Sequence, residues 1–255
     1  MQLSREEILE IMNNNCYPLS SKYNPDWILQ NAIGSHCLWL QESLTQVMGL
    51  TPDMRVLDMG CGKAISSIFL AKEFEVRVWA TDLRNSATDN WKRILEMGVG
   101  DKVCPIRADA NDLPFADDYF DAMLSVNSLF LYATGEEFLK KHLLRNVKPG
   151  GEIGIIVPSF LHEYTDNFPE SYKPYIDADG WRLRNWHTAA WWKNHLEKTG
   201  MVDIVIADNL FDDDGVDVFH KSARMVNAHE EPFNIIAWDD ITFTRIIAKR
   251  RPQYD

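Results

Sequence analysis

No apolar run in the chain approaches the roughly 20 residues a helix needs to cross a bilayer, and hydrophobic residues make up an ordinary 45% of its 255 positions. A membrane partner is therefore not expected. The opening Ser4-Arg5-Glu6-Glu7 has acid where a secretory signal would carry an apolar core, so the expected location is cytoplasmic. Basic charge is also scarce: 26 Lys and Arg stand against 38 Asp and Glu, a formal net charge of −12. Nucleic-acid binding draws most of its non-specific affinity from cations that neutralise phosphates, so nucleic acid is not an expected partner either. The one basic cluster, Lys249-Arg250-Arg251, reads as a solvated tail. Cysteine is sparse too. Cys16, Cys37, Cys61 and Cys104 make no CxxC pair and no zinc-like spacing, which predicts reduced, mostly buried thiols and no metal site.

What is present is an alternation of short β-branched runs with helix-like segments, the mark of βαβ units around a parallel sheet. Strands are expected at Met54–Asp58, Val76–Thr81, Val103–Ile106, Phe120–Val126, Glu152–Val157, Val202–Ala207 and Ile241–Ala248. Ser4 through Glu7 fits a capping box, and Asn24-Pro25-Asp26 starts a longer helical region with a break near Gly34. Further helices are expected over Ser66–Glu73, Asn85–Glu96, from a capping box at Thr134 to Asn146, from Thr188 to Thr199, and near Val216–Val226. Lys148-Pro149-Gly150-Gly151 reads as a turn before the fifth strand. The expected fold is α/β: a doubly wound, seven-stranded, mostly parallel sheet with an antiparallel last strand. Residues 1–50 would form an N-terminal helical cap on a Rossmann-like domain over 51–255. Within that domain the aromatic stretch 158–187 breaks the rhythm and reads as an inserted substrate lid.

The most informative segment is Val56-Leu57-Asp58-Met59-Gly60-Cys61-Gly62, in which an apolar strand ends in acid and enters a glycine turn. Glycines 60 and 62 allow tight turning and close approach of backbone to a ligand. A dinucleotide site wants a third glycine where Ile65 stands, and Asp58 would repel a pyrophosphate while favouring a ligand with an ammonium and a sulfonium. Asp82, with Leu83 after it, closes the second strand twenty positions beyond Gly62, where a carboxylate can accept both ribose hydroxyls. Asp109 follows the third strand and can receive an adenine amino group, with Ala110 against the ring. Asn127, in Ser125-Val126-Asn127-Ser128, ends the fourth strand facing the reacting groups.

In order, D-M-G-C-G at 58–62, acid at 82, A-D-A at 108–110, L-P-F-x-D-D-x-F-D at 113–121 and V-K-P-G-G at 147–151 resemble the class I, Rossmann-like S-adenosylmethionine-dependent methyltransferases. The small-molecule group with ubiquinone-biosynthesis and glycine/sarcosine methyltransferases is the nearest in character, and the likeness covers about 50–160. It implies S-adenosyl-L-methionine as methyl donor, S-adenosyl-L-homocysteine as product and a small-molecule acceptor. Asp58, Gly60, Cys61 and Gly62 would form the methionine-binding loop, Asp82 and Leu83 the ribose side, Asp109 and Ala110 the adenine pocket, and Asn127 the methyl end. Lys63-Ala64 departs from the small residues often found after the loop.

Each feature also has a structural alternative. Trp191 and Trp192 fall on a helix and read as core, and the acids Asp212-Asp213-Asp214 read as a solvated turn. Trp181, Trp186 and His187 would instead sit at the site's mouth, with His187 the candidate general base, because imidazole titrates near neutral pH. His162 and Tyr164 are rivals for that role. The competing functions are an NAD-dependent oxidoreductase, a nucleic-acid methyltransferase and a non-catalytic S-adenosylmethionine-binding protein.

Overall fold

A computed structural model of the chain describes residues 4–33, 35–178, 182–211, 218, 221 and 240–252. Seven strands form one sheet: β1 Arg55–Met59, β2 Arg77–Asp82, β3 Val103–Arg107, β4 Phe120–Val126, β5 Val147–Phe160, β6 Val202–Asn209 and β7 Ile241–Arg250. Their order is β3-β2-β1-β4-β5-β7-β6. Neighbours from β3 to β5 run parallel, and β7 lies antiparallel between β5 and β6. The chain winds outward in one direction through β1, β2 and β3 and in the other from β4 onward. The sheet's switch point therefore falls between β1 and β4, where open α/β sheets bind ligands. The doubly wound sheet expected from the sequence is the one observed.

The central strands are mostly apolar because helices cover both faces. In β1, Val56 and Leu57 are fully buried, as are Ala122, Met123 and Leu124 of β4. The covering helices are α1 Arg5–Met12, α2 Pro25–Asn31, α3 Cys37–Thr45, α4 Ile65–Phe74, α5 Ala87–Glu96, α6 opening at Glu136–Phe138, and α7 Ala189–Glu197. Local chemistry sets several of their starts. The Ser4/Glu7 capping box forms in both directions, Asn24 caps α2 with Pro25 at its first position, and Ser86 and Thr188 cap α5 and α7. Among the described residues, no helix is long and apolar enough to cross a membrane.

Several local expectations are corrected. Lys148–Gly151 does not precede β5 but lies within it as a bulge. Phe120 pairs with Val147 and Ala122 with Glu152, so a single β4 residue faces four on β5. Gly150 takes φ +79° there, and a Cβ on Gly151 would stand 2.8 Å from the Asp121 carbonyl oxygen. At its other end β5 runs through Pro158–Phe160, because β7 pairs with it as far as Phe160 opposite Ile241. The Thr134 capping box does not form. The helix starts after Gly135 with no side-chain cap, then passes through a π-type turn, Leu139–Leu143, and a 3-10 turn, Leu144–Asn146.

The basic cluster is not a solvated tail. Arg250 is buried in the last strand, where its guanidinium donates to the carbonyls of Leu144 (2.6 Å), Arg145 (2.9 Å) and Val147 and to Asp118 Oδ1 at 2.8 Å. Sheet pairing carries this cation inward, where Nη1 meets the carbonyls that follow α6 while Nε has no partner. Of the cysteines, all free, only Cys61 is buried; Cys16 and Cys37 are half-buried and Cys104 is exposed. The break near Gly34, Trp181, the Asp212–Asp214 turn and nearly all of the Val216–Val226 helix lie outside the described residues.

Candidate active site

A cavity of about 730 Å³ opens over the carboxyl ends of the parallel strands, within the roughly 300–1,000 Å³ usual for small-molecule sites. The end of each of β1 to β5 contributes: Gly60 after β1, Asp82 of β2, Asp109 after β3, Asn127 after β4 and Pro158 of β5.

Backbone bonds fix the glycine loop onto β2. The Gly60 and Cys61 amides both donate to the Thr81 carbonyl, at 2.9 and 3.0 Å. Gly62 N–H donates to Asp82 Oδ2 at 2.9 Å, while Asn90 Nδ2 holds the Gly62 carbonyl at 2.9 Å. Position 60 has to be glycine. With φ +75°, any Cβ there would lie 2.2 Å from Ser128 Oγ. Gly62 also has positive φ, and so does Ala64, whose φ of 61° and ψ of 21° place an alanine in the left-handed region at the start of α4. The departure noted at Lys63-Ala64 is thus a residue with a Cβ held where glycine is usual.

Asp58 lies beneath the loop, buried. Its Oδ2 accepts from Ser66 and Ser67 of α4's first turn, at 2.6 and 2.5 Å, and its Oδ1 has no partner. Burial pushes its carboxyl up to about 6 against the opposing pull of the two serine hydroxyls, and the charge of Asp82 raises it further. Asp82 Oδ1 accepts from the amides of Arg84 and Asn85, at 2.8 and 2.7 Å, and from Asn85 Nδ2 at 3.0 Å. The exposed Asp109 accepts from the amide of Asn111 and from its side chain, both at 2.9 Å, and these two bonds lower its carboxyl below the usual range. Exposed Leu83 and Ile33 add apolar edges at the rim.

Around the methyl end Asn127 takes φ +54°, a strained value for a residue with a Cβ, and its amide donates to the Ile156 carbonyl at 2.8 Å. Ser128 Oγ donates to the Met59 carbonyl (2.9 Å) and also contacts Ser125 Oγ (2.8 Å) and Tyr132 Oη (3.1 Å). Burial pushes the Tyr132 hydroxyl up to about 12, although its serine partners ease this, and burial with the charge of Asp58 raises the Cys37 thiol to about 12. Both groups stand protonated at neutral pH.

Of the residues singled out from the sequence, Gly60, Cys61, Gly62, Asp82, Leu83, Asp109, Ala110 and Asn127 line this one cavity, and Trp186 forms part of its wall. Asp58 supports it from below. His187 is elsewhere: its Nδ1 bonds Glu163 Oε1 at 2.6 Å, its ring stacks on Trp191 at 3.7 Å, and it does not line the cavity. His162 and Tyr164 are also engaged away from it, both on Asp240. Trp192 is core, as expected. The sequence reading missed Ser66 and Ser67, the hydroxyl group around Tyr132, and Phe130, Leu131 and Arg182. For the serines a signal existed, since two hydroxyls in the first turn of the following helix can reach back to a strand-end acid.

A doubly wound sheet with this strand order, a two-glycine loop after β1 and acids at the ends of β1 and β2 define a Rossmann-like α/β domain. Residues 56–151 match the family model described as "Methyltransferase domain". A ubiquinone/menaquinone biosynthesis C-methyltransferase of Nitrosospira multiformis is 36% identical over 121 residues, 46% of this chain and 48% of that protein. A sterol 24-C-methyltransferase of Yarrowia lipolytica is 26% identical over 59% of this chain and 38% of its own length. The chain thus matches less than half of either relative. A phosphoethanolamine N-methyltransferase of Haemonchus contortus, solved with S-adenosyl-L-methionine, superposes with a TM-score of 0.69 at 18% identity, over 96% of this chain and 60% of that one. The cyclase SpnF has the same fold, with a TM-score of 0.65 at 17% identity over 84% and 82%.

Proposed function

We propose that the chain is an S-adenosyl-L-methionine-dependent methyltransferase acting on a small molecule. A fold shared with the cyclase SpnF does not carry that conclusion alone. The junction of β1 and β2 carries it: a glycine loop bonded to Asp82, above a buried carboxylate with one unpartnered oxygen. An uncompensated negative charge under the loop suits a ligand bearing an ammonium and a sulfonium, and it opposes a pyrophosphate. At Gly60 the missing side chain lets Ser128 and Tyr132 pack directly against the loop, which holds its backbone in place at the mouth of the cavity. The residues present therefore fit the cofactor.

When bound, S-adenosyl-L-methionine supplies a methyl group on an excellent leaving group. The protein's part is then alignment and exclusion of water. Gly60, Cys61 and Gly62, with Asp58 beneath them, would hold the amino-acid end. Asp82 and Leu83 would take the ribose side and Asp109 and Ala110 the adenine, with Asn127 at the methyl end. Tyr132 and Cys37 add neutral groups, so the field around the reacting centre is set by Asp58 and Asp82. The N-terminal helices and the segment that follows β5 up to His187 would form the acceptor side, as a cap and a lid shorter than the 158–187 expected, since 158–160 belong to the strand. His187 is read as a residue that positions this segment through Glu163 and Trp191. The acidic net charge favours a small acceptor over nucleic acid, and the four free cysteines fit a reducing, cytoplasmic compartment.

The test is transfer of labelled methyl from S-adenosyl-L-methionine to a panel of nitrogen, oxygen, sulfur and carbon nucleophiles, with RNA and DNA included and Asp82→Ala as control. Transfer to a small molecule that Asp82→Ala abolishes is the expected result. Transfer confined to nucleic acid contradicts the reading, as does binding without transfer to any member of the panel.

A further inference from the structure

The lining of the cavity divides by chemistry. Toward the glycine loop it is polar and acidic. Away from it stand Phe130, Leu131, Pro158 and Trp186, with the exposed Arg182 at the edge. Phe130 and Trp186 meet edge to face at 6.2 Å and 89°. Two side chains from the segment around Arg182 bind this wall to the turn after β4: Arg182 Nη1 donates to the Leu131 carbonyl and Asn185 Nδ2 to the Phe130 carbonyl, each at 2.8 Å. Arg182 is held in the left-handed region, at φ 46° and ψ 54°. That conformation costs energy in a residue with a side chain. Its guanidinium has five N–H donors, one of them on a backbone carbonyl, and no carboxylate of the described residues neutralises it. Two further cations line the cavity on the loop side: Lys63, which reaches back to the Gln30 carbonyl at 3.2 Å, and Arg84, which follows Asp82.

From this geometry we infer that the acceptor is an apolar, flat molecule carrying an oxyanion, a carboxylate or a phosphate, which Arg182 grips at the cavity edge while Phe130, Leu131 and Trp186 enclose its body. The inference rests on the methyltransferase reading and names the substrate class of that same site. A guanidinium beside an apolar wall suits such a molecule because its fork binds oxyanions through paired hydrogen bonds. The remaining bond to Leu131 keeps the fork aimed, so little ordering is left to occur on binding.

The test is calorimetric titration of naphthoate, naphthyl phosphate and the neutral methyl naphthoate, with and without saturating S-adenosyl-L-homocysteine. It is run on wild type, Arg182→Ala and Arg182→Gln. The glutamine keeps a donor for the Leu131 carbonyl but loses the charge, which separates anion binding from support of the wall. At least one anion should bind wild type more tightly than the ester, and both variants should weaken it by about tenfold or more. Ester affinity and S-adenosyl-L-homocysteine affinity should change by less than about twofold in Arg182→Gln. Whichever anion binds better identifies the headgroup. Equal binding of ester and anions, full anion affinity in Arg182→Gln, or no binding of either anion would overturn the inference. So would a loss of S-adenosyl-L-homocysteine affinity in the variants, since the cation would then serve the cofactor. Failure of wild type to bind S-adenosyl-L-homocysteine is a separate result that strikes the methyltransferase reading, and the titrations without it still score the anion preference.

Discussion

The loop side of the cavity and the acceptor side are held by different means. On the loop side the ligand groups sit at strand ends, and parallel pairing fixes their spacing. Gly60, Cys61 and Gly62 are bonded to Thr81 and Asp82, so the register of β1 on β2 sets the geometry of the loop. On the acceptor side Arg182, Trp186, Phe130 and Leu131 belong to turns and short 3-10 segments, joined by side chain–carbonyl bonds. Sheet geometry makes one side rigid and general. The other can be rebuilt residue by residue without disturbing the sheet, which is how one scaffold serves many chemistries. Substitutions should therefore act very unequally on the two sides.

The largest effect is expected at Gly60→Ala. Its Cβ would meet Ser128 Oγ at 2.2 Å with φ at +75°, costing about 3 kcal/mol in urea unfolding and lowering S-adenosyl-L-homocysteine affinity more than about a hundredfold. Adding Ser128→Gly relieves the clash but not the backbone strain, so the double variant should recover part of the stability. Full recovery would show that backbone conformation at 60 is unimportant.

Next is the pH dependence set by Asp58. Its folded carboxyl sits at about 6, above the ordinary value of 3.8, so between these values the folded state holds the proton more tightly than the unfolded state. The stability linked to that proton is fully present below about pH 4, declines as pH rises to about 6, and is level above that, a total of about 3 kcal/mol. In Asp58→Asn this decline should be absent from urea unfolding measured between pH 4 and 7. An unchanged profile would mean another group carries it.

Asp82→Ala removes the acceptor of four protein donors and of the proposed ribose contact. The expected loss is about 2–3 kcal/mol in S-adenosyl-L-homocysteine binding. The smallest effect is expected outside the cavity: His187→Ala should leave that affinity within about twofold and cost about 1 kcal/mol of stability, through loss of its contacts with Glu163 and Trp191. A tenfold change in affinity would bring His187 back as a functional residue.

The same contrast governs what could be read from sequence. The sheet was legible because its signals are local: apolar runs of four to eight residues, turn signals between them, and caps such as Ser4, Asn24 and Thr188. The residues of the loop side were legible because βαβ order puts every strand end on one edge, so Gly60, Asp82, Asp109 and Asn127 had to converge. Arg250 was misread because nothing near it in sequence shows that β7 inserts between β5 and β6, which turns a terminal basic cluster into a buried strand end. His187 was placed at the mouth because it follows Trp186, which does line the cavity. In an irregular segment adjacent residues point where tertiary contacts send them, and Glu163, 24 positions away, holds His187 aside. Arg182 had no signal, for its importance comes from a left-handed turn and a carbonyl at Leu131 far away in sequence.

The central claim is that the glycine loop and the two acids form a site for S-adenosyl-L-methionine. Its most direct test is calorimetric titration of S-adenosyl-L-homocysteine into wild type and Asp82→Ala, with NAD as the control ligand. The account predicts micromolar binding to wild type, a loss of about a hundredfold on substitution, and no heat from NAD. Tighter binding of NAD, or no binding of the homocysteine compound by wild type, would contradict it.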